Sequence, residues 1–183
     1  MNTPDNITKL NPGEIFVFGS NESGDHLGGA ARIAYEKFGA LWGLGFGPSG
    51  QTFAIPTMDW KLSPLPLDVI NTYIQRFKAY AKLSSNLTFY FTKIGCGIAG
   101  FSIDQIASML FCDGIPSNII IPKEFTECPF KVRDKVIVNN MEGEITRINV
   151  NSQFPITVEY TDNYFDLLTL YGRYGRYSNE KDL

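Results

Sequence analysis

Over the first two thirds of the chain, short apolar runs alternate with helical periodicities, the pattern of a parallel sheet with covering helices. Runs with the character of buried strands begin at Ile15 ("IFVF"), Thr52 ("TFAI"), Leu87 ("LTFYFT") and Asn118 ("NIII"). Between them, apolar residues recur at helical spacing. Ala31, Ile33, Ala34 and Phe38 mark a helix from Gly28 that Gly39 stops, and Val69, Ile70, Tyr73, Ile74, Phe77 and Tyr80 mark a second after Pro66. Ser102 stands where it caps a third, "IDQIASMLF".

After Pro122 the pattern changes. Strand-length apolar runs now follow one another at short intervals, separated by Asn, Gly and Pro, which reads as a small all-β unit, a five-stranded barrel. Residues 122–128, "PKEFTEC", read as the linker. Two domains are therefore expected, residues 1–124 and residues 125–183.

Composition narrows the function classes. With 183 residues of which 44% are hydrophobic, the chain has material for packed cores. A net charge of -3 lacks the basic footprint that binding to a phosphate backbone requires, so nucleic acid is not the default partner. Cys96, Cys112 and Cys128 form no CxxC pair and have no histidine at zinc spacing, which reads as free thiols in a reducing cytoplasm with no metal and no cofactor. The polar start "MNTPDNITKLNPGE" carries no signal-peptide pattern, and no run approaches the ~20 apolar residues of a membrane span.

The glycines point to the chemistry. In open α/β sheets, ligands bind outside the carboxyl ends of the strands, where helix N-termini present unpaired N–H groups. "GSNESGDHLGGAA", Gly19 to Ala31, follows the first strand and opens the first helix, and "IGCGIAGFS", Ile94 to Ser102, follows the third strand and opens the third helix. Two such loops at one sheet end make a cradle for an anion such as a diphosphate, because glycine admits close backbone approach and positive φ. Phe101 would offer a ring to a sugar or base. Taken singly, each loop also reads as a plain strand-to-helix turn. Neither has the Lys-Ser or Lys-Thr of a Walker loop, and neither is a GxGxxG fingerprint.

"IFVFGSNESGDHLGGAARIAYEKFG" and "TKIGCGIAGFSIDQIASML" resemble the two ligand loops of macrodomains, the ADP-ribose-binding modules; the second is closest to the class that removes terminal ADP-ribose. The resemblance spans residues 13–121. It implies a macrodomain-like three-layer α/β domain with a mostly parallel sheet, binding ADP-ribose or a related nucleotide derivative, and leaves hydrolysis of an ADP-ribosyl linkage open. By the same resemblance, Gly28, Gly29 and Ala30 hold the diphosphate from one side, and Gly95, Cys96, Gly97, Ile98, Ala99 and Gly100 wrap it from the other. Phe101 then lies beside the distal ribose, and Asn21, preceded by Gly19 and Ser20, falls where many macrodomains contact that ribose.

Departures from the family are equally specific. The leading strand and the adenine-reading acid of macrodomains have no match, since fourteen residues precede Ile15. Ala99 and Ala31 stand where the two hydrolytic classes carry catalytic carboxylates. Asp25 and His26, the latter the one histidine of the chain, form the candidate substitute pair for acid-base work. His26 also reads as a loop residue bonding a backbone carbonyl. Several other residues carry two readings. Lys37 is near the lysine that forms a covalent intermediate in the deacylating class, or is simply solvated; Cys96 is a helix-terminus nucleophile or a small buried filler. Asp59 reaches a ribose hydroxyl or caps a turn, and "WGLGFGPSGQ" from Trp42 is a flap or packs on the sheet edge.

In the second domain, "FKVRDKV", "GEITRI", "PITVEY" and "YGRYGRY" resemble small SH3-like barrels. Arg173, Tyr174, Arg176 and Tyr177 are there either a stacking surface for a protein or nucleic-acid partner or an edge tail packed on the barrel. The competing functions are thus a nucleotide binder or ADP-ribosyl hydrolase, and a non-catalytic reader or adaptor whose barrel grips a protein or nucleic acid.

Overall fold

The computed structural model describes residues 1–112, 114–126, 132–138, 141–148, 156–160, 165–168 and 174–175. Cys128, Arg173, Arg176 and Tyr177 lie outside the described residues. The chain divides into two compact units, Met1–Phe125 and Thr126–Leu183.

In the first unit the elements run β1 (Glu14–Asn21), α1 (Gly29–Phe38), β2 (Gly47–Ser49), β3 (Thr52–Met58), α2 (Leu67–Leu83), β4 (Thr88–Phe91), α3 (Ile103–Phe111) and β5 (Ile119–Ile120), closed by a 3-10 turn, Lys123–Phe125. The strands order as β2-β3-β1-β4-β5. β1 pairs parallel with β3 and β4, β4 pairs parallel with β5, and β2 joins β3 antiparallel, so the sheet is mixed.

Strand alternation sorts the core onto two faces. Phe16 and Phe18 of β1 meet Ala31, Ala34 and Phe38 of α1 on one face. On the other, Phe53 of β3 packs on Phe77 of α2 with ring centroids 5.0 Å apart, and Phe77 meets Phe89 and Phe91 of β4 at 5.5 and 5.7 Å. Each fully buried ring of this kind contributes about 1.5–3 kcal/mol of hydrophobic free energy. The helix ends follow local signals. Gly39 closes α1 in the left-handed conformation at φ 82, and Ser102 and Gln105 form a reciprocal capping box at the start of α3.

Two elements differ from the periodicity reading. Of the two readings of the segment from Trp42, packing on the sheet edge is the one found, though as a strand the periodicity did not show: Gly47–Ser49 forms the edge strand β2, and Phe46 tucks against Phe53 and Tyr73 with centroids 5.4 and 5.1 Å away. A Gly-Pro-Ser strand has no apolar alternation to reveal it, and Pro48 is tolerated because the strand is at an edge. The run from Asn118 pairs only at Ile119 and Ile120. There Thr3 donates its N–H to the Ile121 carbonyl at 2.8 Å and its hydroxyl to the Ile120 carbonyl at 2.7 Å, so the N-terminal segment occupies the neighbouring edge.

The second unit is an antiparallel sheet of β6 (Lys135–Val138), β7 (Met141–Ile148), β8 (Ile156–Tyr160), β9 (Phe165–Leu168) and β10 (Tyr174–Gly175), in the order β10-β9-β8-β7-β6. Val138, Ile145, Ile156, Val158 and Tyr160 make its buried cluster. Among the described residues, no helix is long and apolar enough to cross a membrane, and no group of His, Cys, Asp and Glu is placed to hold a metal ion.

Candidate functional site

β1 and β4 are neighbours in the sheet, and the chain leaves them toward opposite faces. From β1 it enters α1, which covers Phe16 and Phe18. From β4 it enters α3, which lies beside α2, where Gln75 Nε2 donates to the Met109 carbonyl at 2.9 Å. The carboxyl ends of β1 and β4 thus form a topological switch point, the place where open α/β sheets leave a crevice.

A cavity of about 270 Å³ occupies that crevice. From the first loop it is lined by Gly19, Ser20, Asn21, Asp25, Leu27, Gly28, Gly29, Ala30 and Ala31, from the end of β3 by Thr57, Met58 and Leu62, and from the second loop by Thr92, Lys93, Ile94, Gly95, Gly97, Ile98 and Ala99. The two glycine-rich loops therefore face one space. Four expected residues do not line it: His26, Cys96, Gly100 and Phe101.

The backbone of the cavity is rich in donors. α1 starts at Gly28 in extended conformation with no side-chain cap and no acidic residue in its first turn, so the N–H groups of its first turn stay open to an incoming acceptor. In the second loop, Cys96 N–H donates to the Lys93 carbonyl, Gly100 N–H to Gly97 and Phe101 N–H to Gly95, at 3.2, 3.0 and 3.0 Å. None of these turn bonds uses the N–H of Gly97, Ile98 or Ala99. A Cβ at Gly28 or Gly97 would meet nothing within 4 Å, so the space in front of both is open.

Gly95 and Phe101 pack as one unit. Gly95 takes φ +70, and a Cβ there would lie 3.1 Å from Phe101 Cδ2 and 3.4 Å from Ile106 Cδ1 and Thr57 Cγ2. The ring is the floor against which the bare backbone turns, and it is not part of the cavity lining. Cys96 turns away as well. Its Sγ donates to the Ile94 carbonyl at 3.5 Å, and burial pushes the thiol up to about 11, which suits the filler reading of this residue.

Asn21 is buried and clasps its own loop, its Oδ1 accepting from Asp25 N–H at 2.9 Å and its Nδ2 donating to the Asp25 carbonyl at 3.2 Å. His26 is 2% exposed, with Nε2 3.0 Å from the Leu41 carbonyl and its ring among Phe18, Tyr35 and Trp42. Of the proposed acid-base pair, Asp25 lines the cavity and His26 bonds a backbone carbonyl. Asp59 caps a turn, its Oδ1 accepting from the N–H groups of Lys61 and Ser63, each at 2.8 Å. Lys37 is an exposed residue in the last turn of α1.

Sequence reasoning missed Lys93 and Leu62. Lys93 brings a cation to the cavity wall; the hydrogen bond that its Nζ donates to Glu124 Oε1 at 2.7 Å raises its pKa above the ordinary lysine value. Its position, immediately before "IGCG", is a signal that basic residues beside glycine loops provide. Leu62 is half exposed at the rim and has φ +63, a left-handed conformation disfavoured for leucine. The turn built by Asp59 holds it there. With Leu27 and Ile98, 67% and 82% exposed, it gives the mouth an apolar rim.

The chain matches no family model, no curated protein and no solved structure.

Proposed function

We propose that the Met1–Phe125 unit binds ADP-ribose or a related nucleotide diphosphate in this cavity, with the diphosphate between the N-terminus of α1 and the 97–99 backbone. The observation that carries the reading is the convergence of two sets of backbone N–H groups, one uncapped helix terminus and one glycine loop, on a single cavity with Lys93 on its wall. Anions are stabilised at such termini by the helix dipole and by direct N–H donation. At about 270 Å³ the cavity is near the lower end of the ~300–1,000 Å³ usual for small-molecule sites, room for the diphosphate and a sugar, with the remainder of the nucleotide across the apolar rim. The macrodomain resemblance of the two loops supports the same ligand class.

The role is binding ahead of turnover. Ala31 and Ala99, which replace both carboxylates of the hydrolytic classes, line the cavity, and Asp25 is its one carboxylate among the described residues. The second unit, an antiparallel meander, is read as a small SH3-like barrel. Titration calorimetry of ADP-ribose into wild type and Gly97→Glu tests the proposal. Gly97 has open space before it, so the variant should fold normally and lose binding through a carboxylate in the phosphate position. Ester- and N-linked ADP-ribosyl substrates, offered to wild type and Asp25→Asn, test turnover. Absence of binding by the wild type, or equal binding by Gly97→Glu, would overturn the reading.

A further inference from the structure

We propose that His26 is a positioning residue for the candidate site, a neutral Nε2–H latch that fastens the first ligand loop to the segment 41–45. The inference rests on the reading above only in taking that loop as ligand-binding. His26 sits between Asp25 and Leu27, both of which line the cavity, and two residues before the open start of α1.

The tautomer follows from the partner. A carbonyl oxygen only accepts, so the hydrogen of the 3.0 Å bond to Leu41 is on Nε2. In the neutral ring Nδ1 then bears a lone pair, and this buried atom has no hydrogen-bond partner. Protonation would place an N–H and a positive charge where no acceptor waits, among Phe18, Tyr35 and Trp42 at centroid distances of 5.2, 6.5 and 6.2 Å. The groups facing the ring are few. Asp25 in its own loop favours the cation, Tyr35 on α1 brings a phenol, and Phe18 on β1 and Trp42 carry no charge. Burial outweighs both the bond to the Leu41 carbonyl and the charge of Asp25, each of which favours the cation, and holds the imidazole below its ordinary value.

The seam that His26 crosses also brings backbone against backbone. Gly43 N–H donates to the Gly24 carbonyl at 3.0 Å, and a Cβ at Gly24 or Gly45 would come within 2.3 Å of Leu44 N or 2.4 Å of the Asn21 carbonyl oxygen. Two glycines let the segments touch, and one side chain locks them. The closed loop needs the neutral ring, so its stability is full above the open-loop pKa of about 6.5 and falls as pH drops below it. Through this one-proton linkage, loop closure and ligand affinity weaken by at most about tenfold per pH unit.

The chain has a single histidine, so long-range nitrogen-proton NMR of the full-length protein reads this ring without ambiguity. The Nε2–H tautomer at neutral pH, a midpoint below 6.5, and backbone signals of Gly28 and Gly29 that move with the same midpoint are expected. An Nδ1–H tautomer, an unshifted midpoint, or loop signals indifferent to the titration would overturn the proposal, whether or not any ligand binds. With ADP-ribose as probe, His26→Phe should weaken binding at least tenfold at pH 7.5, and His26→Gln, whose amide can donate as Nε2 does, should restore most of it and abolish the loss of affinity in acid. A pH profile identical in wild type and His26→Gln would also overturn it. Failure of the wild type to bind ADP-ribose, beside the expected NMR titration, would count against the nucleotide reading and leave the latch standing.

Discussion

Replacing Gly28 with aspartate sets the stability of α1 against the function proposed for its N-terminus. Gly28 occupies the N-cap at φ -152 and ψ 170, extended backbone that any residue adopts, and a Cβ there meets nothing within 4 Å. An aspartate fits without strain and accepts from the N–H of Ala30 or Ala31. Three contributions favour the folded state: a few tenths of a kcal/mol from the better cap, about 0.3–1 kcal/mol from a carboxylate at the positive helix end, and about 0.4–1 kcal/mol from a less flexible unfolded chain. Together they give about 1–2 kcal/mol, or a rise in Tm of ~4–8 °C for a unit of this size. Binding should move the other way. The new carboxylate takes the N–H groups assigned to the diphosphate, and two unit charges about 4 Å apart repel by about 4 kcal/mol at an effective dielectric of 20. Even with part of that screened, affinity for ADP-ribose should fall at least about a hundredfold. Thermal melts and titration calorimetry on the same preparation measure both. A raised Tm with undiminished affinity would refute the phosphate position, and a lowered Tm would refute the account of the helix start.

Other outcomes follow from particular residues. Gly95→Ala should lower stability by about 1–2 kcal/mol, seen as a lower urea midpoint at unchanged slope, because φ +70 and the contact with Phe101 both oppose a methyl group. Leu62→Asn should raise Tm, by up to about 1 kcal/mol of relieved strain, since asparagine tolerates the left-handed conformation that Leu62 holds at φ +63. A fall in Tm would mean that the leucine side chain contributes more than its backbone costs. Cys96 should alkylate slowly at pH 8 and accelerate until pH about 11, well behind exposed Cys112 in site-resolved mass spectrometry; equal rates would contradict its buried, high-pKa setting.

The elements legible in the sequence are those whose signals are local. The apolar spacing from Val69 to Tyr80 foretells α2, Gly39 foretells the end of α1, and Ser102 foretells the start of α3, because periodicity and caps act within a turn or two. β2 was hidden because its Gly-Pro-Ser sequence has no alternation and its existence depends on pairing with β3. The cavity divides along the same line. Glycines at strand ends announce the two loops, and both line it. What a side chain does inside a loop depends on tertiary neighbours: Phe101 folds back on Gly95, and His26 turns into the aromatic box because Trp42, sixteen residues on, closes that side. Leu62 was invisible because neither its φ nor its place at the rim is written in its own neighbourhood.

The most direct measurement is the crystal structure of the full chain soaked with ADP-ribose. The account predicts density for the diphosphate within hydrogen-bond reach of the first N–H groups of α1 and of the N–H groups of Gly97, Ile98 and Ala99, with Lys93 turned toward it. A nucleotide bound elsewhere on the chain, or a cavity that stays empty at millimolar ligand, would contradict it.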